Sequence, residues 1–101
     1  MPKLYEYIGL IIMFYANEHE PVHVHGKAQG RETRAEIIVV NGKIEEVRYS
    51  HVTGRLPLET GELLFFQELV TARADEIVSK WIDFFVLNKP IKAERITRRL
   101  K

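Results

Sequence analysis

Cysteine is absent from the 101-residue chain. Thiol nucleophiles, disulfides and thiolate metal sites are excluded with it, and the fold has to stand on packing alone. Long apolar runs are missing too: the longest, Ile8 to Ala16, falls well short of the ~20 residues that a membrane-spanning helix requires. It carries neither the basic leader nor the small-residue cleavage site of a signal peptide. The expectation is a soluble, cytoplasmic protein with no membrane partner. An excess of charge of one sign is also lacking, the formal net charge being +1, so overall charge selects no polyanionic partner. The length suits a single domain, 1–101, with one core.

What the chain has in unusual density is histidine. His19, His23 and His25, three of the four histidines, fall within seven consecutive residues, with Glu18 and Glu20 beside them. If Val22 to Gly26 is extended, the two-residue period puts His23 and His25 on one face and Val22 and Val24 on the other. Pro21 fixes its own φ and biases Glu20 towards an extended or turn conformation, so Asn17 to Pro21 reads as a turn that brings His19 to the same side. Charge is also unevenly placed. Lys89, Lys92, Arg95, Arg98, Arg99 and Lys101 stand against Glu94 alone, a balance of 6 − 1 = +5, which leaves −4 for the first 88 residues. The basic C-terminal segment 89–101 reads either as a solvated terminus or as a docking arm for an acidic partner or nucleic acid.

Taken in order, Pro2 to Tyr7 is a first edge strand. Ile8 to Tyr15 is apolar on both faces and rich in β-branched and aromatic residues, the pattern of a strand buried on both sides. The histidine stretch follows as a turn and second strand running to Ala28, and Gln29 to Glu32 is the next turn. Thr33 to Val40 and Ile44 to Tyr49 are paired around Asn41-Gly42, a hairpin signal. A two-residue loop sets Val39 opposite Ile44, whereas a bulged register aligns Ala35, Ile37 and Val39 with Val47 and Tyr49 and gives the cleaner core surface. His51 to Gly61 reads as a loop, with Thr60 as helix N-cap. From Glu62 to Leu87, Leu63, Phe66, Val70, Ala74, Ile77, Trp81 and Phe85 form one apolar stripe. A straight helix of that length measures about 39 Å, too long for so small a domain, so a break near Thr71 to Asp75 or an overhanging end is expected. Asn88 and Pro90 stop the helix, and Ile91 to Ile96 adds a last strand, here or on a partner. Strands first and helix last make an α+β fold, a small antiparallel sheet packed on a C-terminal helical layer.

Several features together resemble the bacterial domain of unknown function 4160 family. They are the opening Met1-Pro2 leading to Gly9-Leu10-Ile11-Ile12, the Pro21-x-His23-x-His25 segment preceded by His19, the Gly54 to Pro57 step, and Trp81 on a terminal helix followed by Lys89-Pro90-Ile91. Val22 stands where members typically carry a second proline. The resemblance implies a small protein encoded beside another in a toxin–antitoxin-like operon, and it brings no assigned activity.

The residues leave three readings of the histidine segment. In the first, His23 and His25 ligate a divalent transition metal such as zinc, with His19, His51 or an acidic residue completing an open site for hydrolysis. In the second, one imidazole acts as base and another as acid in cleaving RNA, and Lys27, Arg31, Arg34 or Arg55 holds the phosphate. In the third, the histidines serve the fold and the protein is a binding module for a partner. His19, His23 and His25 are thus the catalytic candidates, and the same three with His51 are the metal candidates. No organic cofactor is assigned.

Overall fold

The computed structural model describes residues 2–15 and 21–100. Three two-residue turns, each ending in glycine, organise the strands. Ile8-Gly9, Gln29-Gly30 and Asn41-Gly42 all have positive φ at both positions, the left-handed geometry that matches the twist of paired strands. They join β1 (Lys3–Tyr7) to β2 (Leu10–Met13), β3 (His23–Ala28) to β4 (Arg31–Val40), and β4 to β5 (Lys43–His51). After β5 come α1 (Thr60–Phe85) and β6 (Glu94–Ile96).

The sheet has six strands in the order β5-β4-β3-β2-β1-β6, antiparallel throughout except for the parallel β1–β6 pair. The chain leaves β5 at one edge, crosses the sheet through α1 and adds β6 at the other. This α+β arrangement corrects two local readings. The first strand is not at an edge, because Tyr5 to Tyr7 pair with Glu94 to Ile96. The second strand begins at Leu10, because Ile8 is a turn residue with φ of 45°. A β-branched side chain is disfavoured there, which is why the turn was hidden inside an apolar run. Nor is β2 closed on both sides. Leu10, Ile12 and Phe14 are buried in the core and Met13 on the reverse, but Ile11 is 39% exposed.

In the β4–β5 hairpin both expected registers are found in part. The two-residue turn sets Val39 opposite Ile44, and a bulge one step inward restores Ile37 opposite Val47 and Ala35 opposite Tyr49. The bulge keeps the apolar residues on one face despite the tight turn.

Helix α1 begins one residue beyond Glu59, which occupies the N-cap position in place of Thr60. The Glu62 carboxylate accepts the Glu59 N–H at 2.9 Å, one arm of a capping box. Phe66, Leu69, Val70, Ile77 and Trp81 are its buried residues, and Arg73 breaks the helical dihedrals between them. That kink fits 26 helical residues onto a molecule whose longest extent is 33 Å. Asn88, with φ of 54°, terminates the turn that follows. The far end of α1 closes over Phe14, whose ring lies 5.3 Å from Trp81 and 5.5 Å from Phe85.

The basic C-terminal segment lies against the body. Arg95 pairs with Glu6 at 3.1 Å, Arg99 with Glu68, and the Leu100 N–H donates to the Tyr7 hydroxyl at 2.7 Å. Two of its cations are therefore engaged with the domain itself. Among the described residues no helix is long and apolar enough to cross a membrane.

Candidate functional site

Strand β3 presents two unlike faces. Val24, Gly26 and Ala28 turn to the helix, and Gly26 is required there because a Cβ at that position would meet the Phe66 ring at 2.8–2.9 Å. His23, His25 and Lys27 alternate with them, and the register places these three opposite Glu36, Arg34 and Glu32 of β4, with Met13 of β2 opposite His25 on its other side. This reverse face is not a solvated one. Glu32 is 1% exposed, and His23 and His25 are each 4% exposed.

Glu32 is the hub. Its Oε2 lies 2.8 Å from His25 Nδ1, and the Tyr15 hydroxyl donates to the same oxygen at 3.0 Å. The Tyr15 ring meets His25 edge-on at a centroid distance of 4.7 Å. Arg55 Nε stands 3.7 Å from the second carboxylate oxygen, brought there because Leu56 continues beside the start of β4, where its carbonyl accepts the Glu32 N–H at 2.9 Å. Burying a carboxylate is costly unless donors or opposite charges surround it; here a phenol donates a hydrogen bond, and an imidazole and a guanidinium stand at ion-pair distance.

The two imidazoles are held differently. His23 Nδ1 lies 2.7 Å from the Pro21 carbonyl oxygen, and an oxygen acceptor there favours the tautomer protonated at Nδ1 and leaves the lone pair on Nε2, the atom that acts as base or metal ligand. His25 Nδ1 approaches Glu32 Oε2 at ion-pair distance but outside hydrogen-bond geometry. The rings are 5.4 Å apart and edge-on, and Trp81 lies 5.2 Å from His23.

The structure brings His23 and His25 together and places His51 elsewhere. His51, the last residue of β5, pairs with Thr33 of β4 and borders a hollow of about 190 Å³ with Tyr49, Leu58 and Leu63, on the helix side of the sheet. His19 lies outside the described residues. Among the described residues, no group of three or more His, Asp or Glu side chains is arranged to hold a metal ion. Of the four candidate phosphate-holding cations, Lys27, Arg34 and Arg55 belong to the histidine face. Arg31 turns away, to the Pro57 carbonyl and Glu59.

Two members of the site do not stand out in the sequence pattern, which makes Glu32 part of a turn and Tyr15 part of an apolar strand. The signal for Glu32 lay in the Gln29-Gly30 pair: a two-residue turn there sets Lys27 opposite Glu32 and thus on the face of His25. For Tyr15 the signal was its alternation with Phe14, which puts it with Met13 and away from the core.

No significant match is found among curated proteins or solved structures. A family model does match, over residues 9–82, a span that holds every residue of this site and omits β1, β6 and the basic C-terminal segment. On that match the chain belongs to the family described as Domain of unknown function (DUF4160).

Proposed function

We propose that the reverse face of β2, β3 and β4 is a histidine acid–base centre of a hydrolase, with RNA as its substrate. The observation that supports this is the buried Glu32 carboxylate 2.8 Å from His25 Nδ1. A carboxylate so close supports by its charge the imidazolium formed when Nε2 takes a proton. His25 then removes the proton of a ribose 2′-hydroxyl, whose oxygen attacks phosphorus. The P–O5′ bond breaks, and protonated His23 gives its proton to the departing 5′-oxygen, leaving a 2′,3′-cyclic phosphate; water then opens the ring, giving a proton to His23 as the 2′-oxygen takes one from His25, which completes the hydrolysis and restores both imidazoles. Tyr15 holds Glu32 in place as a positioning residue. Such an activity suits the toxic member of a toxin–antitoxin-like pair, with a small protein from the same operon as the neutralising partner.

A second reading has support from the way the His23 ring is held through Nδ1, since histidines that ligate metals are oriented by an oxygen acceptor at the other nitrogen. In that reading the two Nε2 atoms bind zinc or another divalent transition metal; His19, the third histidine of the stretch, lies outside the described residues.

Cleavage of single-stranded RNA by wild type, His25→Gln and His23→Gln decides between these. The acid–base reading expects each substitution to lower the rate by about 10²–10⁴ in protein that circular dichroism shows to be folded at the assay temperature, with activity retained in chelator. Equal rates in all three proteins sink it and leave a binding module; loss in chelator with recovery on adding zinc moves the assignment to the metal site.

A further inference from the structure

The cations around His25 are held by the fold only through long contacts, Arg34 to Glu36 at 3.8 Å and Arg55 to Glu32 at 3.7 Å. Lys27 stands directly opposite Glu32, where a cross-strand ion pair would normally form. Glu32 is turned instead to Tyr15 and His25, and the Lys27 ammonium lies 5.8 Å from the centre of the Tyr15 ring. Arg34 stands directly opposite His25. Its Nε is buried and has no hydrogen-bond partner among the described residues, and its Nη2 is 3.8 Å from Glu36, beyond hydrogen-bonding reach. A buried guanidinium donor left unsatisfied is costly, and native structures rarely keep one without a use for it. Arg55, with a half-exposed side chain, borders the same group from the loop after β5.

From these positions we infer that Lys27, Arg34 and Arg55 form a subsite for a phosphate group beside His25. Guanidinium forks fit the edges of a phosphate and Lys supplies a point charge. The three cations come from three different segments, which suits a tetrahedral oxyanion, with oxygens on every side, better than a planar carboxylate. This inference deepens the acid–base reading and rests on it for the reaction, but the anion site itself stands on Lys27 and Arg34.

The test is titration of the full chain with inorganic phosphate, followed by ¹H–¹⁵N NMR, with acetate as the comparison anion. Saturable shifts at His25, Lys27 and Arg34 with phosphate, and weaker ones with acetate, are expected. Lys27→Gln/Arg34→Gln is expected to weaken phosphate binding by about tenfold or more, and Arg34→Lys, which keeps the charge but not the fork, by a smaller factor. Unchanged affinity in the double variant overturns the inference. So does a wild-type shift pattern confined to the exposed Lys89 to Arg98 region, a result that does not depend on the variants folding. Phosphate binding that is lost in the double variant, together with RNA cleavage unaffected by His25→Gln, supports the subsite while refuting the acid–base centre, so the two claims fail separately.

Discussion

The two faces of β3 are built on opposite principles. Towards the helix, Val24, Gly26 and Ala28 are small and apolar, and the space above them is filled by Phe66 and, further along, by the cluster of Phe14, Trp81, Phe84 and Phe85. That face stabilises by the area it removes from water, and any well-packed apolar set of the same volume would serve. On the reverse face the same strand offers two imidazoles and an ammonium, and its neighbour adds a carboxylate that is 1% exposed. Desolvating such groups opposes folding, and hydrogen bonds offset much of the cost without exceeding what an apolar replacement would provide. One face of β3 therefore explains why the chain folds. The other is retained against its cost in stability, and this points to chemistry.

The comparison is broken or sharpened by substituting one hub on each side. Phe66→Ala removes the ring seated on Gly26 and is expected to cost about 3–5 kcal/mol of unfolding free energy, as for other fully buried aromatic residues; denaturant titration measures it. Glu32→Gln keeps the shape and an acceptor oxygen while removing the charge. Its expected cost is smaller, about 1–2 kcal/mol, yet RNA cleavage should fall with it as steeply as in His25→Gln. If Glu32→Gln destabilises as much as Phe66→Ala and leaves cleavage intact, the reverse face is a second structural core and the contrast disappears.

How far the sequence showed these two faces depends on which forces wrote the signal. The helix face was legible: the stripe through Phe66, Val70, Ile77 and Trp81 follows from period alone, and the break at Arg73 follows from comparing helix length with domain size. The Asn41-Gly42 hairpin announced itself because both residues favour positive φ. Ile8-Gly9 did not, since tertiary pairing of β1 with β2 overrides the preference of isoleucine and leaves no local trace. The alternation of His23 and His25 was readable from strand period. Their surroundings were not, because Glu32 and Arg34 reach them only through the β3–β4 register, and Arg55 only through a loop that returns beside β4. Burial was the least legible property: polar side chains on a strand ordinarily signal solvent, and here they lie beneath Tyr15 and beside Arg55.

The faces should also part in their response to pH, in a way visible at Tyr49. This residue packs its ring edge-on against Phe66 at 5.7 Å, on the helix side, and burial pushes its phenol up to about 12 from an ordinary value of 10.0. The folded chain therefore keeps a proton that the unfolded chain releases first, so the contribution is fully present below pH 10 and is lost as pH rises towards 12. Thermal midpoints should fall over that window in wild type and fall less in Tyr49→Phe, which has no proton to lose. The remaining slope belongs in part to Tyr5, whose phenol is raised by burial and by its hydrogen bond to Glu76. Neither tyrosine touches the histidine pair, and RNA cleavage measured near neutral pH should be the same in Tyr49→Phe and wild type. An equal alkaline loss in both proteins would show that the helix face carries no buried phenol at position 49. A loss of cleavage in Tyr49→Phe would show that the two faces are coupled through β4, which separates them by no more than the thickness of one strand.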